Sequence, residues 1–249
     1  MSASSYLSYG GVLKVVRADD DDLKNANAGV GIASTTTLKI KNYDDYSNNY
    51  DTATDFYWAA KNPGSWADNL KVCYIDDFAD QTLGITTTSL AGLGATVGMG
   101  ITAAVTGVLP GTGTTAVFTG YVKGIITGAT DATDGNSKLD VKIVSRVSSA
   151  GVETEIDYAE GDGFASFDTS DSVYFTSDAG NVTAAHTPTS AVDWYDSQTL
   201  GLTNSVIYWK TLAPKPGTSV YVNDRQGKND QLHIVVVDDT GDVTGIKGN

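Results

Sequence analysis

The chain has 249 residues, enough for one large domain or two smaller ones and for a hydrophobic core without disulfides or metals. Its formal charge is −14, from 30 acidic against 16 basic residues, so the phosphate backbone of a nucleic acid would on average be repelled. The 27 glycines and the many Thr, Ser, Val and Asp residues favour short strands joined by turns. We therefore expect a mainly β fold of the β-rich α+β class, without direct contact to nucleic acid.

The single cysteine, Cys73, excludes an intrachain disulfide. It lies in an apolar, strand-like run, where a small buried hydrophobe is expected rather than a nucleophile, and the environment is expected to be reducing. The first six residues lack the features of a secretory signal, so export by that route is not expected. Residues 81–122 carry no charge, but glycine, threonine and serine interrupt them throughout, which favours β strands over a membrane span.

The N-terminal part begins with a predicted strand over residues 11–18, which the acidic run Asp19–Asp22 ends as a solvated turn. A second strand is predicted over 36–40. The polar segment 42–55 is predicted to hold no regular structure, and 56–60 is predicted as a short helix that the following Lys-Asn-Pro-Gly sequence ends.

A further strand is predicted over 69–76, and the segment after about residue 85 changes to Thr/Gly/Val-rich runs that favour a small sandwich or barrel. These runs cover residues 100–108, 115–126, 138–147, 152–158 and 172–175. A closing hairpin is predicted from strands at 232–237 and 243–246, joined by an acidic turn. The simplest partition is a discontinuous outer unit, residues 1–84 and 191–249, with an inserted all-β protruding domain at 85–190.

Side chains for catalysis or metal binding are scarce. His186 is predicted in a loop and His233 on a strand face, and neither has zinc-ligand spacing with Cys73. The acidic turns 131–136 and 238–242 lack the spacing of a calcium loop. We therefore expect no catalytic, cofactor-binding or metal-binding residues, and no cofactor.

Residues 111–116 match a permissive dinucleotide-binding pattern, which requires a helix immediately after it. The sequence instead continues as a predicted strand, so a hairpin loop is the better interpretation. The four tryptophans leave two interpretations open, a sugar-binding platform or ordinary core residues. They are Trp58, Trp66, Trp194 and Trp209.

Three collinear segments resemble the tail sheath proteins of contractile-tailed bacteriophages, in particular T-even-like phages that infect cyanobacteria. They are Tyr-Gly-Gly-Val-Leu-Lys-Val-Val-Arg-Ala at 9–18, Ala-Ala-Lys-Asn-Pro-Gly-Ser-Trp-Ala-Asp-Asn-Leu-Lys-Val at 59–72, and the predicted hairpin at 232–246. The most specific part is the structural motif Pro63, Gly64 and Trp66, where the Pro-Gly pair is expected to turn the chain and bring the indole beside the next strand.

The resemblance implies a non-enzymatic subunit that stacks in rings around a tail tube and shortens with the sheath during infection. The implied partners are other sheath subunits, the tail tube, the baseplate and the tail terminator, without contact to a membrane. The implied location is the virion, assembled in the cytoplasm of the bacterial host. In this family, terminal arms donate strands to neighbouring subunits, and the chain is expected to be a fragment that lacks the C-terminal region.

The sequence also leaves two alternative functions open. A carbohydrate-binding or adhesin-like β domain is indicated by four tryptophans, 13 tyrosines and an acidic surface. A glycosidase or phosphatase fragment is indicated only by the number of carboxylates, and the sequence identifies no catalytic pair among them.

Overall fold

The computed structural model describes Gly10, Val12, Tyr158 and the ranges 22–29, 38–51, 56–108, 117–156, 166–176 and 183–249. The fold is mainly β, as the composition predicts. Its strands are β1 (Asn27–Ala28), β2 (Trp58–Ala59), β3 (Leu70–Ile75), β4 (Gln81–Thr86), β5 (Gly100–Val108), β6 (Val117–Thr130), β7 (Asn136–Ser148), β8 (Glu153–Glu155), β9 (Val173–Thr176), β10 (Ser190–Asp193) and β11 (His233–Asp238). The α-helices are α1 (Tyr43–Asn49) and α2 (Val220–Asn223).

The chain divides into two compact units. The smaller unit combines Met1–Val72 with Val236–Asn249, and the larger unit is the continuous segment Cys73–Val235. The sequence placed its domain boundaries at 84/85 and 190/191. Strands β4 and β10 cross those positions and belong to one sheet, so the unit that holds the sheet begins before residue 85 and continues beyond residue 190.

The larger unit is built on a seven-stranded antiparallel sheet in the order β10-β4-β7-β6-β5-β9, with β8 added to β7. The register between β6 and β7 shifts twice, between Lys123 and Gly124 and between Ile126 and Gly128. Such bulges bend and twist a strand pair. Gly124 also permits close packing here, because a Cβ at this position would lie 2.8 Å from Val141.

One face of this sheet forms the core. On β7, the side chains of Leu139, Val141 and Ile143 are buried, whereas the residues between them are more exposed. This alternation is the period of two that β structure imposes on side chains. The same cluster includes buried residues from the loops as well as the strands, namely Leu83, Ile85, Leu90, Ala95, Ile101, Ala103, Val105, Val122, Ile126, Phe167, Val173 and Phe175.

The smaller unit is organised by the buried side chain of Asn25. Its Oδ1 accepts a hydrogen bond from the backbone N–H of Ile40 at 2.7 Å, and its Nδ2 donates to the carbonyl of Ala60 at 2.7 Å. The backbone N–H of Asn25 donates to the carbonyl of Leu38 at 2.7 Å. One amide therefore joins three chain segments, in a unit that has only short strands to supply backbone pairing.

Two predictions in the smaller unit are wrong. Residues 43–49 form helix α1 because Asn42 caps it, with its Oδ1 accepting from the N–H of Asp45 at 2.9 Å, and because acidic residues occupy the first turn. Residues 56–60 do not form a helix. The N–H groups of Tyr57 and Ala60 donate to carbonyls of residues 28 and 26, which places this segment in a strand pair with β1.

The predicted C-terminal hairpin is also wrong. Strand β11 pairs with β3 in a two-stranded sheet. Residues 239–249 form turns rather than a returning strand. The reason is Asp238, whose carboxylate accepts hydrogen bonds from the N–H groups of residues 241–244 and so folds the chain tightly at that point.

The strand predictions at 69–76 and 100–108 are confirmed by β3 and β5, and those at 115–126, 138–147, 152–158 and 172–175 correspond to β6–β9 with different ends. The predicted strand at 11–18, apart from Val12, and the glycine-rich segment 111–116 lie outside the described residues. So do most of the acidic run at 19–22 and the first two residues of the strand predicted at 36–40, and the described residues 38–40 form no strand, so that prediction is wrong there.

Candidate functional site

The structural motif predicted from the sequence lies in a tight turn of the smaller unit. Pro63 and Gly64 are buried, and Gly64 has φ 128°, a backbone conformation that favours glycine. The N–H of Gly64 donates to the carbonyl of Lys24 at 2.8 Å. Trp66 follows in a short 3₁₀ turn, Ser65–Ala67, and its indole N–H donates to the carbonyl of Asn62 at 3.2 Å.

The exposure of the tryptophans separates them into two groups. Trp194 and Trp209 are buried, at 6% and 3% exposure, and serve as core residues of the larger unit. Trp66 is 43% exposed, so the turn holds its indole at the surface rather than enclosing it beside the next strand. Trp58 is half-buried. Trp66 is therefore the tryptophan that offers the most ring surface to a partner.

The histidines and the cysteine have structural surroundings. The ring of His186 stacks on Phe175 at 5.4 Å, and that of His233 stacks on Trp209 at 6.5 Å. Nε2 of His233 lies 2.9 Å from the carbonyl oxygen of Pro214. Cys73 is half-buried, with its Sγ 3.2 Å from the carbonyl oxygen of Leu200.

The two acidic turns use their carboxylates to hold the backbone. Asp131 accepts from the N–H of Leu90 at 2.8 Å, and Asp134 accepts from the N–H of Asn136 at 3.0 Å. Asp238 is occupied in the same way by the turn that follows it. Among the described residues, no group of three or more histidine, cysteine, aspartate or glutamate side chains could hold a metal ion.

Strand β11 has an unusual combination of features for an edge strand. In the part of the chain that the structure describes, β3 is its one strand partner, and its other edge carries no strand partner over residues 233–237. At its last residue, the N–H of Asp238 donates to the carbonyl of Asn249 and its carbonyl accepts from the N–H of Gly248. Ile234 and Val236 are exposed, at 47% and 57%, whereas Val237 is buried. An open edge with exposed alternate aliphatic side chains is a template for pairing with another extended segment.

A second feature, within the larger unit, is a cleft of about 800 Å³ beside β7. Two aspartates and two lysines form one charged cluster in its lining. Lys215 Nζ lies 2.8 Å from Asp77 Oδ1 and 2.5 Å from Asp80 Oδ1, and Lys142 Nζ lies 2.5 Å and 3.1 Å from the same two oxygens. We call these four residues the ion-pair quartet. The other oxygen of Asp80 accepts from the N–H of Ile143 at 2.7 Å.

The quartet stabilises the charged forms of Asp77 and Lys215. Burial raises the pKa of Asp77, but the hydrogen bonds and charges of Lys142 and Lys215 outweigh burial and hold that pKa below its ordinary value. Burial likewise lowers the pKa of Lys215, and the two aspartates outweigh it and raise that pKa above its ordinary value. The charged forms of Asp77 and Lys215 are therefore both favoured, which is the pattern of a structural network rather than of an acid and base prepared for catalysis.

The sequence did not identify the quartet, since its members are distributed over more than a hundred residues and each is unremarkable in its own segment.

No helix in the described ranges has the length and apolar character needed to cross a membrane. Comparisons with protein-family models, with curated proteins and with solved structures gave no match to this chain.

Proposed function

We propose that the chain is a structural subunit of the contractile tail sheath of a bacteriophage, which polymerises around a tail tube and contracts during DNA injection. The sequence resemblance supplies the identity of the assembly. The structural observation that supports it is the open edge of β11, because a subunit that joins copies of itself needs a surface able to accept an extended segment.

The chemistry of this edge favours association. Proteins protect edge strands with charged side chains, prolines or bulges, whereas Ile234–Val237 is an uninterrupted aliphatic run. Backbone hydrogen bonds from an added strand would provide affinity, and exposed Ile234 and Val236 would pack against its alternate side chains. The partner in this proposal is an extended segment of a neighbouring copy. The tail tube, the baseplate and the tail terminator are further partners in the assembled virion.

In this proposal the chain neither binds nucleic acid nor catalyses a reaction. The net charge of −14 opposes binding to a phosphate backbone, and the carboxylates of the quartet and the acidic turns are committed to internal contacts. An acidic surface also limits unwanted association before assembly, so that contacts form at defined edges.

Sedimentation velocity over a range of protein concentrations tests the proposal. The chain is expected to self-associate weakly and reversibly, and Val236→Lys is expected to abolish this because it places a charge on the open edge. Val97→Lys, at an exposed position in the larger unit, is the matched control and should leave association unchanged. A wild-type chain that is strictly monomeric and does not co-purify with a tail-tube protein encoded beside it would overturn the proposal.

A carbohydrate-binding or adhesin-like role is the second candidate, and the exposure of Trp66 favours it. Tyr57 of the same unit is also exposed, and aromatic rings at the surface are the groups on which sugars stack. Saturable binding on a glycan array, lost in Trp66→Ala without a change in unfolding, would favour this candidate. The sheath proposal expects no such binding.

A further inference from the structure

Residues 217–231 of the larger unit form a loop that is bonded mainly to itself. At its base, the N–H of Gly217 donates to Oε1 of Gln231 at 3.0 Å, and the N–H of Gln231 donates back to the carbonyl of Gly217 at 3.2 Å. The N–H of Ser219 donates to Asp230 at 2.7 Å. These contacts bring the two ends of the loop together, which is the defining property of an Ω-loop.

The inside of the loop is equally self-contained. The hydroxyl oxygen of Ser219 caps helix α2 by accepting from the N–H of Val222 at 3.2 Å. The N–H of Gly227 then donates to the carbonyl of Val222 at 3.0 Å. No residue from 217 to 231 is fully buried, so the loop has no apolar anchor of its own in the core. A loop with this bonding can move as one body without breaking its internal hydrogen bonds.

The loop lies along one side of the cleft described above. Thr218, Val220 and Lys228 line the cleft from the loop, whereas Val144 and Ile156 line it from the region of β7 and β8. The cleft is therefore bounded by a rigid sheet on one side and by a self-contained loop on the other. Movement of the loop would change access to the side chains on the sheet.

The two attachments of the loop differ in strength. Before its base, Lys215 is held by two carboxylates of the quartet and Pro216 is buried, so this end is fixed. Near its other end, Lys228 Nζ lies 2.5 Å from Oε2 of Glu155, and both side chains are largely exposed. An exposed ion pair of this kind is weak and sensitive to salt, whereas a buried one is not easily broken.

We propose that residues 217–231 form a lid over this cleft, which pivots beside Lys215 and is held closed by the ion pair between Lys228 and Glu155. The lid opens when that pair is broken, and opening increases the exposure of Ile156, which is half-buried in the closed cleft. This device is independent of the open edge of β11, so it stands or fails separately from the proposed function.

The rate of thiol labelling at Ile156→Cys tests the lid, because Ile156 lines the cleft and is half-buried. Cys73→Ser serves as the background so that a bulky maleimide reacts only with the introduced thiol. Lys228→Glu and Glu155→Lys should each increase the labelling rate about two- to fivefold, the range that an exposed ion pair confers. The combined reversal, Lys228→Glu with Glu155→Lys, should restore the original rate, and high salt should accelerate labelling of the unreversed protein.

Lys210→Glu is the matched control, since Lys210 forms a similarly exposed ion pair with Asp196 at 3.0 Å and does not line the cleft. It should leave labelling unchanged. Tyr158→Cys, at another half-buried position in the cleft lining, provides a second reporter should Ile156→Cys not fold. The proposal would be overturned if the protein with the original ion pair and both single-reversal variants were labelled at the same rate. It would also be overturned if the combined reversal were labelled as fast as the single reversals.

Discussion

The side-chain amide of Gln81 forms a reciprocal pair of hydrogen bonds with the backbone of Phe167. Its Nε2 donates to the carbonyl of Phe167 at 3.1 Å, and its Oε1 accepts from the N–H of the same residue at 2.8 Å. Both residues are buried. The amide thus provides the backbone of Phe167 with the hydrogen-bond partners that a neighbouring strand would otherwise provide. This contact allows the ring of Phe167 to enter the core.

Replacing Gln81 by Leu should destabilise the protein by roughly 1–3 kcal/mol, because it leaves a buried N–H and a buried carbonyl without these partners. Urea unfolding followed by circular dichroism measures this loss. Thr86→Val, at the exposed end of the same strand, is the control and should change the free energy of unfolding by less than about 0.5 kcal/mol. Equal effects of the two substitutions would contradict the role assigned to Gln81.

Asp238 is predicted to hold the C-terminal turn in a pH-dependent manner. The hydrogen bond from the N–H of Thr244 is the main cause that lowers the pKa of Asp238, and further bonds from residues 241 and 243 and from the Thr244 hydroxyl outweigh the opposing effect of burial. Because the folded-state pKa is lowered, its stabilisation is present above the ordinary pKa of an aspartate. It is lost as the pH falls through the lowered value.

Hydrogen exchange measures this effect directly. In Asp238→Ala the amides of residues 241–244 should lose protection at neutral pH, and in the wild-type protein their protection factors should fall in acid. Asp68→Asn, at an exposed position of the same unit, should leave these amides protected. Unchanged protection in Asp238→Ala would show that the turn forms without the carboxylate.

The strands of the larger unit were predictable because burial there follows the simplest sequence signal. Leu139, Val141 and Ile143 alternate with more polar residues, and period-two alternation specifies a strand without knowledge of distant partners. Helix α1 was missed although a local signal exists, since Asn42 is followed by two acidic residues in the first turn. The polar composition of that segment outweighed the capping signal in the prediction.

The C-terminal turn and the cleft were not predictable, for different reasons. An acidic, glycine-containing segment between aliphatic runs has the same composition whether it forms a hairpin or caps itself through Asp238. In the cleft, Lys215 pairs with Asp80 across 135 positions of sequence, and only the folded chain brings them together. The location of the Pro63, Gly64 and Trp66 motif in a turn was predictable, whereas the exposure of the indole was not.

The ion-pair quartet is predicted to contribute to stability over the whole neutral range. Lys215→Met leaves Asp77 and Asp80 with one cation instead of two. It should destabilise the protein by up to roughly 3–5 kcal/mol. The loss is smaller to the extent that Lys142 still pairs with both aspartates. Lys138→Met, at an exposed position on β7, should have little effect. Denaturant unfolding at neutral pH distinguishes the two, and similar losses would contradict the assignment.

The pH dependence of the quartet has a defined sign at each end. The lowered pKa of Asp77 means that its contribution is present above the ordinary aspartate value and lost as the pH falls through the lowered pKa. The raised pKa of Lys215 means that its contribution is present below the ordinary lysine value and lost as the pH rises through the raised pKa. The difference in stability between wild-type protein and Lys215→Met should therefore be flat between these limits and shrink outside them.

Truncation of two tryptophans should separate a core residue from a surface residue. Trp209→Ala removes a side chain that is 3% exposed and should cost roughly 3–5 kcal/mol, since it leaves a cavity in the larger unit. Trp66→Ala removes a ring that is 43% exposed. The free energy of unfolding should therefore fall by roughly 1–1.5 kcal/mol, about half of the transfer free energy of a buried aromatic side chain. The hydrogen bond from its indole to Asn62 lies at the surface, where water replaces the lost donor at little cost. Equilibrium unfolding of both variants in urea checks the contrast. An equal loss of stability in Trp66→Ala and Trp209→Ala would mean that the indole of Trp66 is enclosed in solution. Another copy of the chain covering the ring would have this effect. Dilution of the protein should then reduce the loss of stability in Trp66→Ala.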